Sequence, residues 1–163
     1  MSAPTRHHSH IRWILPILFI GGFIVPLATS AAVPTATNYR DEINRLRQQE
    51  RRAMLTSSFT LNRAALRRVQ DMAAYHYFSH TSPLGKSFSS FINLGPAKFS
   101  ASGEIMSRNY LTARSSVNAW LTSTSHASQI RSTKYTHLGA AVGKITIKGK
   151  PTAVAVVMFG QVR

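Results

Sequence analysis

Residues 70–85 read Q-D-M-A-A-Y-H-Y-F-S-H-T-S-P-L-G, and their centre, Phe78-Ser79-His80-Thr81-Ser82-Pro83, is answered in order by two later segments. The first is Gly103-Glu104; the second is Trp120, followed six residues on by His126. Two imidazoles and one carboxylate thus sit beside small or turn-forming residues. Such groups are costly to bury singly and useful if they converge on one cleft.

Working outward, the segment before this stretch is helical. Leu61, Ala65, Val69, Met72 and Ala73 recur on one helical face, which predicts a helix from about Leu61 to His76. Thr60 is placed to cap it, with Arg63, Arg67 and Gln70 on the wet side. An earlier helix runs from Tyr39 to about Leu55; its apolar stripe of Ile43, Leu46 and Ala53/Met54 is thin, so it reads as peripheral, and Thr56-Ser57-Ser58 breaks it. Pro83-Leu84-Gly85-Lys86 signals a turn, and Ser87–Leu94 a short helix closed by Gly95-Pro96. A Ser-, Ala- and Gly-rich loop leads to Glu104. Thr112 is an N-cap for a helix from 113 to about 122 that buries Val117, Trp120 and Leu121; a polar break at Thr122–Ser125 precedes a short helical turn to Ile130.

The final third changes period. Leu138–Ile147 and Thr152–Val162 are rich in Val, Ile and Ala and flank Lys148-Gly149-Lys150-Pro151, a β-hairpin pattern. Ala153–Phe159 is almost wholly apolar, as in a central strand covered on both faces. Helices first and strands last give an α+β fold, a three-layer α/β/α sandwich on a central antiparallel sheet.

The 163 residues allow one domain and a terminal appendage, and the 44% hydrophobic content is that of a globular chain. With no cysteine, disulfides, thiolate nucleophiles and cysteine metal sites are excluded. Twenty Lys and Arg against five Asp and Glu favour anionic partners, although most of the charge is scattered as single residues. None of it interleaves with aromatics in a base-stacking pattern, so nucleic acid is disfavoured.

Residues 1–12 are polar and carry Arg6 and Arg12; Trp13–Ala28 is an uncharged apolar run, and Thr29-Ser30-Ala31-Ala32 follow. This order is that of an export signal, cleaved or retained as a signal-anchor transmembrane segment. The chain accordingly divides into 1–32 (signal or anchor), 33–40 (linker) and a domain over 41–163. The domain is expected outside the cytoplasmic membrane, secreted or anchored to its outer side.

The order of motifs resembles the short, cysteine-poor bacterial branch of the CAP or SCP-like superfamily of cysteine-rich secretory proteins, antigen 5 and pathogenesis-related proteins. Residues 70–85 are similar to that branch's D-M-A-x-x-x-Y-F-S-H-x-S-P-x-G. Residues 117–139, V-N-A-W-L-T-S-T-S-H-A-S-Q-I-R-S-T-K-Y-T-H-L-G, resemble V-x-x-W-M-x-S-x-x-H-x-x-N-I-L-x-x-x-Y-x-x-x-G, and V-V-M-F-G-Q at 156–161 its last strand. The resemblance implies an α/β/α sandwich with His80, Glu104 and His126 in a central cleft. Larger members carry a second Glu where this chain has Ser123, and their G-E-N signature reads Gly103-Glu104-Ile105 here, so the set is at most three.

Chemically, His80, Glu104 and His126 make a minimal three-ligand divalent-metal set, with zinc the first choice; without metal the same trio is a structural network. No cofactor is required by the structural reading, and a divalent metal, zinc, in the cleft is the one the other reading adds. Ser123, Ser125 and His126 invite a nucleophile–base reading, but no acid lies nearby in sequence and no nucleophile elbow is present. His76 and His137 read as surface residues, His7, His8 and His10 as part of the export segment, and Tyr75, Tyr77 and Phe78 as core packing or the wall of an apolar groove. Trp120 reads as core. The expected function is a non-enzymatic exported module at the cell envelope that binds a lipid or sterol-like molecule, an anionic wall polymer or a protein. The alternative is a metal-assisted, peptidase-like hydrolase using His80, Glu104 and His126.

Overall fold

The computed structural model describes residues 34–163; the export-signal, anchor and most of the linker assignments lie outside the described residues. The elements run α1 (Ala36–Gln49), β1 (Thr56–Ser57), α2 (Phe59–Ala74), α3 (Phe88–Ile92), β2 (Phe99–Arg108), α4 (Ala113–Leu121), α5 (Thr124–Arg131), β3 (His137–Ile147) and β4 (Lys150–Val162). The strands form one sheet in the order β1-β3-β4-β2. The hairpin turns at Lys148-Gly149, where both residues have positive φ, and its register pairs Ile147 with Lys150. The sheet is antiparallel except at its far edge, where the two residues of β1 pair parallel to β3.

Strand periodicity sorts the core into two layers. Leu138, Ala140, Ala155, Val157, Phe159 and Ile105 point to one face and pack with Tyr39, Ile43, Val117, Trp120 and Ile130 from α1, α4 and α5. Ala141, Ile145, Val154, Val156, Met158 and Met106 alternate with them on the other face, against Leu61, Ala65, Val69 and Met72 of α2 and Phe91 and Ile92 of α3. Because β4 is covered on both sides, both of its alternating residue sets are apolar. This is the three-layer arrangement expected from the sequence.

Four expectations are corrected. The stretch before Glu104 is not a loop but most of β2, paired with β4 from Phe99 to Arg108 across one irregularity. Its small residues are a packing requirement: a Cβ on Gly103 would lie 2.1 Å from Gln129 Oε1 and 2.5 Å from Tyr135 Oη. Second, α1 is not peripheral. Tyr39 and Ile43 are in the core, Tyr39 Oη shares a 2.8 Å hydrogen bond with Ser116 Oγ, and Arg47 is buried with its N–H groups donating to the carbonyls of Ala53, Ile130 and Ser132. An arginine can enter a core when carbonyls satisfy its fork, so its place on the helix understated the buried stripe. Third, α2 starts earlier: Ser58 caps it, accepting from the Leu61 N–H, while Thr60 is buried beside Gly95. Fourth, Tyr75 is 48% exposed and so does not join the core; it is the C-cap residue of α2, and only Tyr77 and Phe78 turn back against the α2 layer. Thr112 caps α4 as expected, in a reciprocal pair with Ser115.

The fit between α2 and β3 is closest at Gly139, where an added Cβ would sit 2.2 Å from both the Leu61 carbonyl carbon and the Asn62 nitrogen. Backbone cannot yield as a side chain can. Gly139→Ala should therefore destabilise the protein by about 3 kcal/mol in urea melts, more than Gly143→Ala, whose nearest neighbour is a Val69 methyl. Equal costs at the two positions would show that the α2–β3 contact relaxes freely.

Candidate functional site

The site lies at the free edge of β2, between the two helical layers. Sheet periodicity puts Glu104 on the α2 face, two residues before Met106, and its carboxylate is fully buried. Oε2 accepts from Arg68 Nε at 3.1 Å, and Oε1 lies 2.8 Å from His80 Nδ1. Arg68 is itself fully buried; its other nitrogens donate to Tyr77 Oη and to the Ser79 carbonyl, and its guanidinium lies over the rings of Tyr77 and Phe91. Tyr77 in turn donates to Asp71. Burial and the Asp71 carboxylate push the Tyr77 phenol well above its ordinary range, so it stays a donor. One connected network, Asp71–Tyr77–Arg68–Glu104–His80, thereby ties the Phe78-Ser79-His80 segment to both α2 and β2.

Sequence reasoning left Arg68 and Asp71 out of the site. A signal was present: Arg68 lies three residues after Ala65 and four before Met72, on the same face as the apolar stripe. A charge on that face predicts a buried partner.

His126 comes from the other layer, in the first turn of α5 just after its N-cap residue Ser123. It lines an open cleft of about 410 Å³ with Phe78, Arg108, Tyr110, Trp120 and Ser123. Trp120 is buried and donates from Nε1 to the Met106 carbonyl at 2.8 Å, covering part of the β2 edge. Arg108 reaches over the Phe78 ring, 5.4 Å from its centre. Ser123 Oγ is paired with Ser125 Oγ at 3.1 Å rather than with an imidazole. His76 is exposed at positive φ, with Nδ1 3.3 Å from the Thr146 carbonyl oxygen, and His137 is the first residue of β3.

The structure thus joins His80 to Glu104 and sets His126 and Ser123 on the adjoining wall. The three-ligand set drawn from the sequence does not fit a divalent cation as placed. Both Glu104 oxygens are engaged, one by a buried guanidinium whose charge opposes a metal. Among the described residues no group of three or more His, Asp or Glu side chains is arranged to hold one.

Burial, reinforced by the charge a protonated His80 would bring, lowers the His126 pKa below its ordinary 6.5. His126 is therefore neutral at pH 7, and its protonation in acid opposes folding as pH falls below 6.5. An NMR titration should find its midpoint below 6.5, moved up but not fully restored by His80→Asn, because burial is the larger cause. No movement in the variant would mean that the two imidazoles do not share one cleft.

The model of the CAP (cysteine-rich secretory protein) family matches residues 40–159. Among curated proteins of Bacillus subtilis, the chain is 28% identical over 116 residues to the uncharacterized protein YkwD, covering 68% of this chain and 45% of that one. It is 33% identical over 75 residues to the uncharacterized membrane protein YlbC, covering 46% of this chain and 22% of that one. The chain thus spans less than half the length of these relatives. An outer surface protein of Borrelia burgdorferi has a similar structure, with TM-score 0.65, 23% identity, and coverage of 76% of this chain and 90% of that one. So has an extracellular SCP-domain protein of Bacillus anthracis, at TM-score 0.66 and 21% identity, over 77% of this chain and 40% of that one. The motif order, the three-layer fold and the family match agree: the chain belongs to the CAP, or cysteine-rich secretory protein, family.

Proposed function

We propose that this chain is an exported, non-enzymatic binding module of the cell envelope, whose β2-edge cleft takes a short stretch of an anionic wall polymer. The observation behind this reading is that Glu104, the single carboxylate of the expected site, is already engaged on both oxygens. A carboxylate fixed by a buried arginine is a poor general base and a poor ligand; it is suited to holding His80 in place. What remains open to solvent is a shallow cleft with aromatic walls, the cationic Arg108 and a neutral His126. Aromatic faces with one cation and hydrogen-bonding imidazole suit an extended polar chain bearing negative charge. The apolar Trp13–Ala28 run after basic residues supports export.

A lipid or sterol-like ligand has a different observation in its favour, an apolar groove of about 220 Å³ beside α1, walled by Tyr39, Val142, Ala153 and Ala155. A hydrolase finds less support, since Ser123 has no imidazole partner and Glu104 is not free.

Sedimentation of the full chain with isolated wall sacculi, native or stripped of their anionic polymer, tests the reading. Retention should fall on stripping, and Arg108→Glu with His126→Ala should weaken it at least about tenfold. Equal retention of the variant, or none of the parent chain, would contradict it. Release of wall fragments that His126→Ala abolishes would put the hydrolase in its place.

A further inference from the structure

The five carboxylates of this chain are all committed to arginines. Asp41 pairs with Arg40, Glu42 with Arg45 and Arg114, Glu50 with Arg52 and Arg131, and Asp71 and Glu104 with Arg68. No lysine among the described residues pairs with a carboxylate, so the lysine charge is unopposed wherever it gathers.

It gathers at the hairpin end of the sheet. Lys144, Lys148 and Lys150 are exposed there, on β3, the turn and the start of β4. The β2–α4 loop arrives at the same end: Tyr110 and Leu111 share one surface hollow with Lys144, Pro151 and Ala153. Leu111 is 79% exposed, and Tyr110 is 38% exposed. An exposed leucine beside a tyrosine, fringed by unpaired lysines, is the composition of a surface that settles into lipid headgroups: the apolar tip enters the interface and the ammonium groups meet phosphates. Pro34, where the described chain begins, lines a groove with Tyr110 and Lys144, which places the start of the domain at this end. In sequence only Thr29–Val33 separate Pro34 from the apolar run that ends at Ala28.

We infer that the Tyr110-Leu111 loop and the Lys144, Lys148 and Lys150 ammonium groups form a docking surface for an anionic lipid bilayer. This contact is made by the folded domain itself; it shares Tyr110 with the cleft wall, whereas Leu111 and the three lysines lie outside the cleft lining. Its charge complementarity gives the bilayer a reason to be approached in one orientation, hairpin end first. The phosphates come from lipid headgroups at the plane where Leu111 inserts.

The chain has no cysteine, so a single introduced one can carry an environment-sensitive fluorophore. Leu111→Cys places it in the loop. Leu94→Cys is the control, 67% exposed and next to Gly95, which packs on Thr60 at the α2 start, the end of the sheet away from the hairpin. Both full-length labelled chains are added to phosphatidylcholine–phosphatidylglycerol vesicles and to pure phosphatidylcholine vesicles. The reporter at 111 should shift to the blue and be quenched by a lipid-borne quencher in the anionic vesicles, while the one at 94 stays water-like. Lys144→Glu, Lys148→Glu and Lys150→Glu together should cut the docked fraction at 111 on the order of tenfold, even while the chain remains on the vesicle. Identical emission at 111 and 94, a shift that is undiminished in pure phosphatidylcholine or in the triple variant, or no vesicle association would each overturn the assignment.

Discussion

The ion pair between Arg68 and Glu104 is the contact on which the cleft depends. Both side chains are fully out of solvent, one on α2 and the other on β2, so the pair joins the α2 layer to the edge of the sheet. An unpaired charge at either place would be prohibitive, and the pair is sustained only because its remaining hydrogen-bonding capacity is met by His80, Tyr77 and the Ser79 carbonyl. The network fixes the Phe78-Ser79-His80 segment, and that segment in turn forms one wall of the cleft. Trp120 closes the other side by donating to the Met106 carbonyl. The polar residues conspicuous in the sequence are therefore of two kinds. Glu104 and the Nδ1 side of His80 hold the structure together, whereas His126 lines the open cleft beside Arg108, a residue the sequence did not single out.

This division bears on how the electrostatics of the whole chain are used. With five acids against twenty basic residues, the fold commits every carboxylate to an arginine, in bidentate or shared pairs such as Arg131–Glu50 and Arg45–Glu42. Such pairing suits the planar guanidinium fork better than the ammonium point charge. The Glu42 and Glu50 carboxyls are held below their usual range by these arginines, so those pairs contribute above pH 4.5 and weaken as pH falls through the lowered values. Among the described residues the lysines are left without a carboxylate partner.

Much of the architecture was legible because patterning, capping and turn chemistry agreed. The hairpin, the α4 cap at Thr112 and the α2 stripe each followed from a local rule. β2 was not legible, since Ser100, Ala101, Ser102 and Gly103 resemble a loop until Tyr135 and Gln129 are seen packed where a side chain would be. The same limit hid Arg47 and Arg68, whose burial is decided by carbonyls and carboxylates distant in sequence. His80 and Glu104 do meet, but the second Glu104 oxygen is held by an arginine from the apolar face of α2, while His126 stands on the adjoining wall.

A double-mutant cycle in urea unfolding, with Arg68→Met, Glu104→Leu and the two combined, addresses the central contact directly. Each single change strands a buried charge and should cost about 3–5 kcal/mol, while the double variant should be less destabilised than the sum by about 2 kcal/mol or more. Strictly additive costs would contradict the account, because they would mean that Arg68 and Glu104 do not depend on each other and that something else fixes the wall of the cleft.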